Sequence, residues 1–384
     1  MKTSMNILDD LGTIEKIDRR NMREVLRSTP DMYIDFLKKL KEEDMTSVIN
    51  KLPSKKPTKT IILGMGGSAL GGEILKDWLA DASEIPIELC RDYHLANYAD
   101  KDTLVIALSY SGNTEETING FVEALDRKCM TIAVSSGGVL EEFCNLSGTP
   151  LIKVPKGLPP RCATPYLLLS LAKILNKFEF MPFDEAEINE ATETLRKLWK
   201  KIRPECPVND NSAKKMALDI FGSIPVIYGF RHYKSIALAI KIAFNENSKI
   251  PSKCEFFPEL IHNEIVGFEK YKRSIGNITV VLIRDSDEPP EIKVAIEVVK
   301  ELISLNNTVK ILEVYGEGTS RLAKMLSVKY VADMASLYLA ILNNTDPMRT
   351  QSIDVIKSET KAKLNLIENL RKRIKNFDNF QTTM

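Results

Sequence analysis

The chain has 384 residues, 44% apolar and 27% charged, which is globular composition with material for two domains of usual size. Lys plus Arg (53) almost cancels Asp plus Glu (52), leaving a net charge of +1. That balance argues against wrapping nucleic acid by phosphate neutralisation and favours a small, local anion as ligand.

Six cysteines at 90, 129, 144, 162, 206 and 254 form no CxxC pattern, so reduced thiols in a cytoplasmic protein are expected. The opening MKTSMNILDD places acids where a signal peptide needs an apolar core, and no run of 18 apolar residues implies a membrane span. His94, His232 and His262 are scattered without metal-ligand spacing, so no metal site is expected.

Residues 1–50 read as a helical segment, charge-rich with apolar residues at helical spacing. KLPSKKPTK follows as a linker. Buried strands are then expected at TIILG (60–64), DTLVIALS (102–109), MTIAVS (130–135) and PLIKVP (150–155), separated by helical segments such as GGEILKDWLADA and TEETINGFVEALDR. Alternation of this kind predicts a parallel sheet with helices on both faces. A charged helix over 182–203 leads to a second set of strands at IPVIYGF (224–230), NITVVLIRD (277–285) and VKILEVYG (309–316). A closing helix is expected from 352 to about 377, with Ile356, Leu364, Ile367, Leu370 and Ile374 on its apolar side.

The two halves align as a degenerate duplication. IILGMGGSALGGEIL matches VIYGFRHYKSIALAI, and ALSYSGNTEET matches VLIRDSDEPPEI more loosely. Only the first copy keeps its small residues, which points to one anion site in the first half. The domains expected are 1–50, 51–181 (phosphate-binding), 182–345 (second sheet) and 346–384 (closing helix).

Two stretches in the first half could cradle a phosphate. In LGMGGSALGG, glycines after a strand let backbone approach a ligand and aim free N–H groups at it. The spacing is neither GxGxxG nor a GK[ST] nucleotide loop. In ALSYSGNTEET, Ser109, Ser111 and Thr114 would offer hydroxyls beside Ser68 and Gly67, at the carboxyl ends of strands where such sheets bind ligands. Asn113 or Thr114 serves equally as a helix cap, with Glu115 and Glu116 in the first turn.

The pair GMGGSALGG and SYSGNTEET resembles the sugar isomerase (SIS) fold, whose duplicated domains bind phosphosugars. With KGLPPRCATPY, NENSKIPSK, ELIHNEIVGFE and DPMRTQSIDVIK, the chain over residues 15 to 360 resembles the bifunctional phosphoglucose/phosphomannose isomerases. The resemblance implies two doubly wound, flavodoxin-like α/β domains related by duplication, with added N- and C-terminal helices. It implies interconversion of glucose 6-phosphate, and of mannose 6-phosphate, with fructose 6-phosphate through a cis-enediol(ate), without cofactor. Such chemistry needs one tuned general base, an acid/base at the ring oxygen and positive charge near the enediolate.

By this resemblance Glu246 is the proton-transferring base, His262 and Lys357 open the ring, and Arg161 stabilises the enediolate. Thr350 leaves room for both C2 epimers. The resemblance also implies a homodimer in which His262 reaches the partner's site. Residue chemistry supports part of this. Glu246 falls on the apolar stripe of Ala239 and Ala243 if the helix from Lys234 continues, and desolvation there would raise its pKa. The two prolines before Arg161 stiffen its loop. Glu73 stands where the family has Asp, and the second domain is longer than in compact members. A non-catalytic phosphosugar-binding regulator is the alternative; it would not need Glu246, His262, Lys357 and Arg161 together.

Overall fold

In the computed structural model, which describes residues 2–181, 183–271, 276–305 and 308–381, four helices open the chain. They are α1 (Lys2–Asp9), α2 (Leu11–Ile17), α3 (Met22–Lys39) and α4 (Glu43–Asn50). Asp10 caps α2 by accepting the Gly12 N–H, the role expected of a short carboxylate at that position.

The first sheet contains β1 (Lys59–Leu63), β2 (Ile87–Cys90), β3 (Thr103–Leu108), β4 (Met130–Ser135) and β5 (Leu151–Lys153). Its order is β2-β1-β3-β4-β5, and every pairing is parallel. The connecting helices are α5 (Gly66–Trp78), α6 (Glu115–Asp126), α7 (Gly138–Ser147) and α8 (Thr164–Lys177). All six residues of β3 and of β4 are buried, as both faces of a helix-covered parallel sheet demand.

The later chain forms α9 (Glu185–Ile202), α10 (Ser212–Ile220), β6 (Ile224–Phe230), α11 (Lys234–Ala243), β7 (Lys253–Phe257), β8 (Ile278–Arg284), α12 (Pro290–Ser304), β9 (Lys310–Tyr315) and α13 (Arg321–Leu342). The second sheet runs β7-β6-β8-β9, again all parallel. It repeats the first four positions of the first sheet, so the duplication read from the sequence exists as a repeated strand order. Helix α13 is apolar enough by composition to cross a membrane, yet 89% of its apolar window is buried inside the protein, and it is a core helix. Within it, the buried Tyr330 and Tyr338 hydroxyls donate to the Leu26 and Ile202 carbonyls at 2.9 and 2.6 Å.

Two strands escape a reading based on apolar runs. Both β2 (IELC) and β7 (KCEFF) carry charged residues and are only partly buried, because each sits at the edge of its sheet. The chain divides into two compact units, each discontinuous: Met1–Asp31 with Asp184–Arg349, and Met32–Phe183 with Thr350–Met384.

The single closing helix expected over 352–377 is two helices, α14 (Gln351–Leu364) and α15 (Leu366–Gln381). Asn365 separates them in the left-handed region at φ 48°, where asparagine is tolerated. The apolar side holds only for α15. Ile367, Leu370 and Ile374 join the core of the first sheet with Phe121 and Phe143, whereas Ile356 and Leu364 on α14 are exposed. Leu370→Ala is therefore expected to cost about 2–5 kcal/mol in urea unfolding, and Ile356→Ala no more than about 0.5 kcal/mol.

Candidate functional site

Strands β1 and β3 pair in register from Lys59↔Thr103 to Leu63↔Ala107, so the loops leaving their carboxyl ends emerge side by side. The pairing order changes direction here, β2 lying on one side of β1 and β4 beyond β3, and such switch points are where doubly wound sheets bind ligands. Ser68, buried in the first turn of α5, accepts the Tyr110 N–H at 3.1 Å through Oγ. Ser109 donates to Thr114 Oγ1 at 3.0 Å. Thr114 is the N-cap of α6 in backbone conformation, but its side chain makes no cap bond. Ser111 is exposed, and its Oγ accepts the Asn113 N–H at 3.3 Å.

These bonds fix where the hydroxyl protons lie. Ser68, Ser111 and Thr114 each accept a bond and keep an O–H to donate, whereas the Ser109 proton is committed to Thr114. The free N–H groups of the first turn of α6 add the positive end of a helix dipole. Thr117, one turn beyond Thr114, was not singled out from the sequence; its hydroxyl is buried without a hydrogen-bond partner. Burial, and after it the charge of Glu116, raises the Glu115 carboxyl above its ordinary range, while Lys361 opposes the rise.

Two glycines shape this edge. Gly112 has φ +68°, and a Cβ there would lie 1.7 Å from the Gly137 carbonyl oxygen. A Cβ on Gly67 would lie 2.5 Å from the Arg161 nitrogen, so α5 and the backbone of Arg161 are in direct apposition. Arg161 itself is buried in a 3-10 turn, Pro160–Cys162. In the same unit, Thr350 is the N-cap of α14 without a side-chain cap bond. Lys357 lies exposed on α14, a helix with no buried residue, and no hydrogen bond joins it to the cradle among the described residues.

Glu246 and His262 belong to the other compact unit. The helix from Lys234 stays α-helical only to Ala243; Phe244–Ser248 is a π-turn, a device found often at functional positions. Glu246 is half-buried within it. Its neighbours are clamped: Asn247 Nδ2 donates to Ser336 Oγ at 2.8 Å, and Ser248 Oγ to the Ser336 carbonyl at 2.7 Å. Lys249, at φ 57°, folds its ammonium back onto the Glu246 carbonyl at 2.7 Å and the Asp346 carbonyl at 2.9 Å. His262 ends a 3-10 turn, Glu259–His262, and is exposed.

The matching edge of the second sheet holds a different arrangement. At the end of β8, Asp285 accepts from the Tyr233 hydroxyl and the Lys324 ammonium, both at 2.8 Å, and His232 Nε2 lies 3.5 Å away. Burial pushes the Asp285 carboxyl up, but the nearby His232 ring and the bonds from Lys324, the Asp287 N–H and Tyr233 outweigh it and hold the group well below the usual carboxylate range. Where the first sheet presents small hydroxyls, the second is filled by its own ion pair.

No three His, Cys, Asp or Glu side chains converge as a metal site among the described residues. A solvent-open depression of about 680 Å³, lined by Glu190, Thr194, Lys197, Lys201 and Thr319 among others, includes none of the candidate residues.

Residues 209–360 match the family described as the bacterial phospho-glucose isomerase C-terminal SIS domain, and residues 54–141 match the SIS domain. A relative from Caldicellulosiruptor bescii, named bifunctional phosphoglucose/phosphomannose isomerase, is 37% identical over 78% of this chain and 89% of its own length. Another, from Sulfolobus acidocaldarius and named D-glucosamine-6-phosphate 4-epimerase, is 30% identical over 72% of this chain and 86% of its own. Among solved structures, a glucose-6-phosphate isomerase like protein from Thermus thermophilus superposes with a TM-score of 0.58 at 17% identity, covering 91% of this chain and 98% of that one.

Removing Lys324 takes the bonded ammonium away from the buried Asp285 carboxylate. Lys324→Met is expected to lower unfolding free energy by about 3–5 kcal/mol in chemical denaturation.

Proposed function

The chain belongs to the bifunctional phosphoglucose/phosphomannose isomerases, and from that premise we propose how its residues share the reaction. The ester phosphate of a hexose 6-phosphate rests on the hydroxyls of Ser68, Ser111 and Thr114 and on the backbone around Gly67, with Ser109 orienting Thr114 from behind. The observation that carries this reading is the set of hydroxyl protons left free to donate at the β1–β3 switch point. Mostly neutral donors and a helix N-terminus suit a dianion that must also be released.

His262 and Lys357 open the ring. Glu246 removes the proton from C2 of the aldose and returns it to C1, while the electron pair moves through an enediolate whose oxygen charge Arg161 offsets. A guanidinium, permanently charged and planar, suits that role. Thr350 leaves space for both orientations at C2, so glucose and mannose 6-phosphates converge on fructose 6-phosphate. The exposure of His262 supports a homodimer in which it serves the partner's site. A reducing, cytoplasmic setting for sugar-phosphate metabolism belongs to the same proposal.

Purified protein incubated with fructose 6-phosphate and EDTA is expected to yield both glucose and mannose 6-phosphates, and to leave glucosamine 6-phosphate unchanged. Binding without turnover would favour a phosphosugar sensor, and loss of turnover on chelation would contradict the cofactor-free route. Glu246→Gln should abolish isomerisation while fructose 6-phosphate still binds by calorimetry. Mixing inactive Glu246→Gln and His262→Ala chains through mild denaturation and refolding should restore activity if the histidine acts across a dimer; recovery no greater than either variant alone would remove that arrangement.

A further inference from the structure

One residue of the first sheet's carboxyl edge has no part in the roles above, yet its bonds reach well beyond its own loop. Tyr110 is buried between Ser109 and Ser111. Its N–H donates to Ser68 Oγ at 3.1 Å, tying the loop after β1. Its carbonyl accepts the Ser136 N–H at 3.0 Å and the Ser136 hydroxyl at 2.7 Å, tying the loop after β4. Its phenol donates to the Pro155 carbonyl at 2.8 Å and accepts the Leu158 N–H at 3.0 Å, tying the loop after β5.

The last pair of bonds bears on Arg161. Between Leu158 and Arg161 stand only Pro159 and Pro160, whose rings fix φ, so a constraint on the Leu158 nitrogen passes along a stiff segment to the arginine. On its far side the same turn abuts Gly67, where no side chain intervenes. Without the phenol, the segment from Pro155 to Leu158 loses both bonds. This stretch includes Gly157 at φ +105° and follows the last strand of the first sheet, so little other regular structure holds it. Burial pushes the phenol above its ordinary pKa, which keeps it protonated and able to donate.

We propose that the Tyr110 hydroxyl is a positioning group that sets the height of Arg161 over the phosphate cradle by pinning the Pro155–Leu158 segment. The idea rests on the reading of Arg161 as the group that offsets enediolate charge. It makes Tyr110 neither a ligand of the sugar nor a proton donor to it.

Tyr110→Phe tests this with little change in packing, because the ring stays and the backbone bonds to Ser68 and Ser136 are untouched. In the full chain, with kcat normalised to folded protein, the variant is expected to lose about 10²-fold in kcat for fructose 6-phosphate, the scale of a misplacement near 1 Å, with KM changed less than about threefold. Arg161→Lys should fall comparably, and the double variant little further than either single one, since both act through one guanidinium. A normal rate for Arg161→Lys would overturn the arginine's role and this proposal with it. A slow Arg161→Lys beside a normal Tyr110→Phe would overturn the positioning role alone. So would full multiplication of the two losses in the double variant, or a Tyr110→Phe loss that appears in KM rather than kcat.

Discussion

The parallel pairing of β1 with β3 is the constraint on which the candidate phosphate site depends. In-register hydrogen bonds from Lys59↔Thr103 to Leu63↔Ala107 bring the ends of two strands distant in sequence to one edge. Ser68 can then accept from the Tyr110 backbone. Slippage of this ladder by a single residue would turn the alternate side chains of β3 over and carry the Tyr110 N–H away from Ser68. Full burial of β3 on both faces makes such slippage costly.

The two sheets show how one strand order supports different ends. After β1 and β3 come glycine and small hydroxyls, and the space they leave can take an anion. After β6 and β8 come Tyr233, His232 and Asp285, and Lys324 from α13 closes that space with a buried ion pair. A duplicated architecture has kept its ladder in both copies and its open edge in one. Fold and site are thus separable properties of the chain.

Much of this was legible in sequence because the underlying signals are local. Most of the described strands fall in apolar runs, and the small-residue loops follow two of them directly. The exceptions, β2 and β7, are edge strands whose charged residues break the run. The π-turn at Phe244–Ser248 was not legible, since Asn247 and Ser248 are held by Ser336, far along the chain. The break at Asn365 was hidden for a different reason: charged residues at helical spacing continue on both sides, and only the left-handed backbone marks it. Tyr110 carries no motif-level signal, because its partners at 155 and 158 meet it only once β5 has joined the sheet.

In the proposed reaction the free hydroxyl protons at the β1–β3 edge grip the phosphate of the sugar. A crystal structure of the protein with fructose 6-phosphate bound tests it most directly. The ester phosphate is expected within hydrogen-bonding distance of Ser68, Ser111 and Thr114, with Ser109 still holding Thr114. A phosphate seated away from these three hydroxyls would rule this edge out as the phosphate site.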